Sequence, residues 1–367
     1  MRVLILSVTA GHGHNNTARA LENELRERGA DVIVEDFYQQ VSRLTYEFVD
    51  KGYQFSVTHM RALYRKAYTT LERNERMRKF VAVLGGNRRF AKIYAGKLDE
   101  YMPDMIIATH VFAAQMLNIL KRQGYLKTPV IGVNTDYCIQ PFWEEIKSIE
   151  YILTGSSLLS FVAIQKGIPE KMLLPLGLPI RPQFRETVPK AEARRRLELD
   201  ENSKTILVMG GSMGYGNMVE SVQTIDSAEY QIICVCGTNE KLRQQLNGLS
   251  LKAKLKVTGF IENVQLYMDA SDCIITKPGG ITVTEAMVKT LPMILTNPIP
   301  GHEERNAEFL VNNGAAIRVS KEFSLAEAVH YIFKNPERLA LMRSSLELIS
   351  HPDATERIAD FVMEQAK

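Results

Sequence analysis

The sequence predicts an α/β protein made of two Rossmann-like parallel-sheet domains that face a central cleft. Three observations carry that expectation. The chain has 367 residues, and a single hydrophobic core stops growing beyond roughly 250–300 residues. Short β-branched runs alternate with helical patterns, the signature of parallel βαβ units. The alternation stops at a proline-rich segment near residue 180 and then restarts.

In chain order, Val3–Ser7 reads as a strand, followed by a glycine loop and a helix from about Thr17 to Arg28. Val32–Asp36 is the second strand. Met105–Ala108, Val130–Val133 and Tyr151–Thr154 follow, each trailed by a helical or loop segment. Leu173–Phe184 holds three prolines and one glycine and reads as a linker. Beyond it, Thr205–Met209, Tyr230–Val235, Leu255–Thr258, Cys273–Thr276 and Met293–Thr296 read as strands with helices between. From Leu325 to Lys367 the periodicity is helical. The expected domains are residues 1–180 and 190–350, with 351–367 forming a helix that packs back toward the first.

Composition narrows the class. With 45% hydrophobic and 24% charged residues, the chain is an ordinary globular protein, not a disordered or fibrous one. A net charge of +3 is too close to neutral to imply nucleic-acid binding by the whole chain. Cys138, Cys234, Cys236 and Cys273 lie in apolar stretches without CxxC or zinc-ligand spacing, which predicts buried, reduced thiols in a cytosolic compartment and no metal. The apolar run Val3–Leu6 is too short for a signal peptide and leads into a glycine loop. Met105–Leu120 is interrupted by Thr109, His110, Gln115 and Asn118, so no segment offers the ~20 apolar residues of a spanning helix. A membrane would be met from its surface.

Charge is unevenly spread. Residues 51–97 hold 12 Lys or Arg, Arg61, Arg65 and Lys66 among them, against only Glu72 and Glu75, a net of +10. Aromatic residues, including Tyr64, Tyr68 and Tyr94, are interleaved with these charges. Such an insertion predicts a basic helix lying on an anionic bilayer, where each Lys or Arg contributes about 1 kcal/mol.

In an open α/β sheet, ligands sit beyond the carboxyl ends of the strands, and five strand-end loops here are rich in Gly, Ser, Thr or charge. Thr9–Asn16 contains Gly11, His12, Gly13 and His14. It departs from a dinucleotide fingerprint because Asn16 stands where the third glycine belongs. His14, at the mouth of a helix, is placed to act as a general base, since a helix N-terminus disfavours imidazolium. Gly210–Asn217, with Gly211, Ser212 and Met213, offers backbone N–H groups to phosphate oxygens. Lys277–Ala286 combines Pro278, Gly279, Gly280 and Thr282 for a second phosphate with Glu285 for ribose hydroxyls. Pro298–Asn306 clusters carboxylate and amide side chains suited to sugar hydroxyls. Gly259 and Phe260 frame a nucleobase. Together these describe a nucleotide-diphospho-sugar site with a base for an acceptor hydroxyl.

At these residues the chain resembles the GT-B glycosyltransferases that include monogalactosyldiacylglycerol synthases and processive diacylglycerol glucosyltransferases. The resemblance rests on Gly11-His12-Gly13-His14, Thr135-Asp136 with Trp143, Gly210-Gly211-Ser212, Thr258-Gly259-Phe260, Lys277 to Glu285, and Pro300 to Asn306. It implies that His14 is the base, that Glu285 holds the ribose, and that Glu303 and Asn306 contact the donor sugar. It further implies that His12, Asp136, residues near Trp143 and the basic insertion serve the acceptor and lipid side. Gln140 stands where plant relatives carry a histidine. The implied activity is inverting transfer of a hexose, glucose before galactose, from a UDP-sugar to diacylglycerol or a related glycolipid, without a metal, at the inner face of the cell membrane. The competing readings are a UDP-N-acetylglucosamine-using transferase with a peptidoglycan-type or soluble acceptor, and a UDP-N-acetylglucosamine 2-epimerase-like isomerase, which needs no basic lipid-facing insertion.

Overall fold

A computed structural model describes residues 1–8, 12–37, 60–84, 87–211, 214 and 216–365; for His12, Arg61, 80–84 and 87–93 only the backbone is described. Ser212, Met213 and residues 51–59 of the basic insertion lie outside the described residues, as do the side chains of His12 and Arg61. The chain divides into two compact units, one of residues 1–181, 300–302 and 353–367, the other of residues 182–299 and 303–352.

The first unit runs β1 (Arg2–Ser7), α1 (His12–Glu27), β2 (Asp31–Asp36), α2 (Arg61–Arg73), α3 (Glu75–Leu84), α4 (Asn87–Tyr101), β3 (Met105–Ala108), α5 (Val111–Arg122), β4 (Val130–Val133), β5 (Tyr151–Leu153), α6 (Ser160–Gln165) and β6 (Leu173–Leu174). Its sheet is parallel in the order β2-β1-β3-β4-β5-β6. Ile5 pairs with Val34 on one side and Ile107 on the other. Val3 to Leu6 are fully buried, because a parallel sheet covered on both faces needs continuous apolar strands rather than alternating ones.

The second unit runs α7 (Lys190–Arg196), β7 (Lys204–Met209), α8 (Met218–Thr224), β8 (Tyr230–Val235), α9 (Glu240–Asn247), β9 (Lys254–Thr258), α10 (Val264–Ala270), β10 (Cys273–Thr276), α11 (Gly280–Val288), β11 (Met293–Leu295), α12 (His302–Asn312), β12 (Ala316–Arg318), α13 (Leu325–Lys334) and α14 (Pro336–Ile349). Its sheet is again parallel, β12-β11-β10-β7-β8-β9. The predicted class of two Rossmann-like parallel sheets is the class observed. A last helix, α15 (Ala354–Glu364), buries Ala354, Ile358, Ala359 and Val362 in one cluster with Val3, Ile5 and Leu21 of the first unit.

Three expectations are corrected. The segment read as a linker pairs Leu173–Leu174 with β5 and buries Leu178 and Ile180. Its prolines are tolerated because it forms the sheet edge, and Ile180 exchanges hydrogen bonds with the Thr355 hydroxyl at 3.0 and 2.8 Å. Helix α1 begins at His12, not near Thr17: tertiary contacts to Ser7 and Thr109 hold a turn of weak helix formers. The described residues of the basic insertion form three helices rather than one, and Arg78 is buried against Glu144 and Glu145 rather than facing a surface. Among the described residues, no helix is long and apolar enough to cross a membrane. Cys234, Cys236 and Cys273 are buried, and burial pushes the Cys236 thiol up to about 11; Cys138 is only half-buried.

Candidate active site

His14 lies in the first turn of α1, where β1 hands over to the helix. Its Nδ1 is 2.6 Å from the Thr109 carbonyl oxygen at the end of β3. A carbonyl only accepts, so Nδ1 carries the proton and Nε2 keeps its lone pair. Thr109 is fixed in turn: its N–H donates to Leu6 O at 2.9 Å. Ser7 Oγ donates to Asn15 Oδ1 at 2.6 Å, tying the strand end to the helix start. Burial holds the His14 pKa below its ordinary value; the Thr109 bond and Asp136 oppose that shift, and His302 adds to it. Burial is thus the leading cause that keeps the ring neutral.

His110 is the second imidazole of this site. It caps α5, accepting the Phe112 N–H on Nδ1 at 3.2 Å, and its edge meets His14 with centroids 4.6 Å apart at 73°. Burial and the neighbouring His14 hold its pKa well below the usual range. Both rings line a cavity of about 330 Å³ within the first unit. Tyr64, Tyr68 and Leu71 of α2 form one apolar wall, and Val111, Phe112 and Phe142 another. Asp136 and Gln140 add polar groups to the lining beside the imidazoles of His14, His110 and His302, and Gln140 Nε2 donates to Asp136 Oδ2. Tyr68, whose phenol burial keeps protonated, packs on Gly301. A Cβ there would lie 2.6–2.7 Å from its ring, and the φ of +93° also requires glycine. His302 follows, its ring 6.3 Å from Tyr68.

The second unit gathers the other predicted residues. Lys277 at the end of β10 forms an ion pair with Glu303, whose Oε2 also accepts the Ile299 N–H at 2.7 Å. Asn306 Nδ2 donates to Pro278 O at 2.9 Å. Glu303 and Asn306 are buried, as is Glu285 in α11. Gly279 caps α11 and Gly280 begins it; Thr282 is half-buried in its first turn. A narrow cleft lined by Gly210, Gly216, Asn217, Thr276, Lys277 and Asn297 opens at the strand ends. Gly211, at φ +75°, turns the chain there. After β9, Gly259 lies beside Arg243 and Phe260 is exposed.

The structure therefore brings His14 and Asp136 together in one unit, and Pro278, Gly279, Glu303 and Asn306 in the other. Gly13 is half-buried in α1, and Arg65 and Lys66 are exposed on α2. Trp143 is a correction. It is fully buried, its ring against Gly132, where a Cβ would sit 2.6 Å from it. It anchors β4 rather than facing lipid; its neighbour Phe142 lines the cavity instead. Sequence reasoning missed His110, Tyr68 and His302. The signal for His110 was present, since Thr109-His110 ends the strand Met105–Ala108. Among the described residues, no three His, Cys, Asp or Glu side chains gather as metal ligands would.

Each unit also matches a known protein family. Residues 14–180 match the family described as monogalactosyldiacylglycerol (MGDG) synthase, and residues 205–358 match the glycosyltransferase family 28 C-terminal domain. A processive diacylglycerol beta-glucosyltransferase of Bacillus cereus (strain AH187) is 30% identical over 369 residues, covering 99% of this chain and 93% of the relative. Among solved structures, MurG of Acinetobacter baumannii superposes with a TM-score of 0.64 at 15% identity, over 99% of both chains. HepE of Anabaena in complex with UDP-glucose gives 0.58 at 16% identity, over 99% of this chain and 100% of that one. With a parallel sheet in each unit and a full-length relative of this kind, the chain belongs to the family of monogalactosyldiacylglycerol synthases and processive diacylglycerol glucosyltransferases, glycosyltransferases of the GT-B fold.

Proposed function

We propose that this chain transfers glucose from UDP-glucose to diacylglycerol or a related glycolipid, with inversion, at the surface of an anionic membrane. The observation that carries the reading is His14, with Nδ1 committed to Thr109 and Nε2 left as acceptor, in the wall of a largely apolar cavity. The name of the B. cereus relative supports the donor sugar and acceptor. UDP-glucose holds its sugar in α linkage, so a β product requires inversion.

In this mechanism the acceptor hydroxyl gives its proton to His14 Nε2 and its oxygen attacks the anomeric carbon. The bond from that carbon to the diphosphate oxygen breaks, and UDP leaves with the electron pair. Backbone N–H groups of the loop after β7 and of the α11 start meet the diphosphate charge. Glu285 accepts from the ribose hydroxyls, with Gly259 and Phe260 framing the base. Glu303 and Asn306 accept from and donate to the hexose, with Lys277 holding the Glu303 carboxylate in place. The basic face of α2, with Arg65 and Lys66, meets anionic head groups.

The test is UDP release from UDP-glucose, UDP-galactose and UDP-N-acetylglucosamine, with and without diacylglycerol in phosphatidylglycerol vesicles, in chelator. Lipid-dependent release from UDP-glucose that survives the chelator is expected. Release from the N-acetylglucosamine donor alone, without lipid, would overturn the reading.

A further inference from the structure

The first unit carries an apolar feature that transfer chemistry does not use. After β5 the chain makes a short helical turn, Ser157–Leu159, and then α6. Leu159 and Ala163 anchor this stretch in the core, but Leu158, Phe161, Val162 and Ile164 are 54, 72, 43 and 40% exposed. Single exposed apolar residues are ordinary, whereas a cluster marks a surface meant to be covered.

Its position says by what. Strands β1, β3, β4 and β5 are parallel, so their carboxyl ends share one edge of the sheet. His14, His110, Asp136 and Leu158 each follow one of those ends. Lys166, just past α6, donates to Ile139 O at 3.2 Å and pairs with Glu144 at 2.8 Å, bracketing the residues Gln140 to Phe142 that line the cavity. The same Glu144 pairs with Arg78 of α3 at 2.5 Å. That buried network fixes α6 beside the helix bearing exposed Arg76 and beside exposed Lys147. The cavity of about 330 Å³ has room for a head group but not for two long acyl chains, so the tails of a lipid acceptor must stay in their bilayer.

We propose that Leu158, Phe161 and Val162 form a wedge that enters an anionic bilayer at the rim of the acceptor cavity, with Arg76 and Lys147 on the head groups. The basic flank selects the occupant, because exposed Arg76 and Lys147, with exposed Arg65, Lys66 and Arg73 on α2, complement anionic lipid. The assignment rests on the lipid-acceptor reading above and adds the element that brings the cavity to the lipid.

Sedimentation of the purified full chain with vesicles tests it, using phosphatidylcholine alone and an equal mixture with phosphatidylglycerol. The parent chain should bind the mixed vesicles, and the double variant F161S/V162S should bind them about tenfold or more weakly, the effect of withdrawing two large apolar side chains from hydrocarbon. Leu348→Ser, at an 85% exposed site on α14, should leave binding unchanged. Equal binding by F161S/V162S, or an equal loss in L348S, would overturn the wedge. So would self-association of the parent chain without vesicles that F161S/V162S abolishes, since a second copy would then be the occupant. UDP release with a short-chain diacylglycerol dissolved as monomers separates the two readings. F161S/V162S should match the parent there and fall behind it only on vesicles. A parent chain inactive with every diacylglycerol would overturn the transfer reading, while vesicle binding would still decide the wedge.

Discussion

The surroundings of His14 and of Glu303 handle buried polarity in opposite ways. Around His14 the protein keeps the imidazoles and a phenol neutral: burial lowers the pKa of both rings and raises that of the Tyr68 phenol. Around Glu303 it keeps full charges and pairs them, with Lys277 on one carboxylate oxygen and a backbone N–H on the other. The contrast matches the tasks proposed for them. A group that takes up a proton works best as a neutral ring with an open lone pair. A group that grips hydroxyls works best as a fixed carboxylate, and a buried carboxylate persists only with its partner in place.

The sharpest way to break this contrast is His14→Ala. It should lower kcat by about 10²–10⁴-fold while leaving UDP affinity by calorimetry unchanged; a loss of UDP affinity instead would move His14 to the donor side. Lys277→Ala should act on stability, because it strands Glu303 in the interior. A cost of about 3 kcal/mol is expected in urea unfolding, together with weaker donor binding. Gly301→Ala attacks the cavity wall by driving a methyl into the Tyr68 ring at a backbone angle that suits only glycine. It should cost roughly 1–3 kcal/mol and raise KM for the acceptor more than for the donor.

The smallest effect is one of pH. His14 and His110 have folded pKa values below their ordinary 6.5, so below pH 6.5 the unfolded chain binds more protons than the folded one. Their contribution to stability is complete above about pH 6.5. It declines as pH falls toward the folded values, each ring losing up to about 1.4 kcal/mol for every pH unit crossed in that window. Turnover should show an acid limb in the same range. Urea midpoints that stay level from pH 7.5 to 5.5 would show that the imidazoles are not held neutral.

The two regions also differ in how readable they are. Pro278, Gly279, Glu303 and Asn306 come from two successive strand-loop-helix units, so a linear reading brings them together without knowing the fold. The cavity draws on residues 14, 64–71, 110–112, 136–142 and 302, which only the sheet order assembles. Long apolar strands declared themselves: Met105–Ala108, Val130–Val133, Tyr230–Val235 and Cys273–Thr276 are observed with the expected ends. The edge strands β6 and β12 did not, since β6 is two residues followed by prolines and β12 is a short run that ends in Arg318. Trp143 misled because an aromatic beside a strand-end loop reads like a ligand contact, while the glycine that makes room for its ring stands on the preceding strand.

Helix α15 has a consequence for the order in which the protein is made. The first sheet is complete in sequence by Leu174, yet its core needs Ala354, Ile358 and Val362, which are synthesised about 180 residues later. At roughly 5–20 residues per second, the nascent first unit waits on the order of 10–40 s with that side of its sheet covered only in part, by α1. Residues 182–299 and 303–352 are synthesised in that interval. The first unit therefore cannot close until the second unit's sequence has been made, and the histidine-lined cavity belongs to the part completed last.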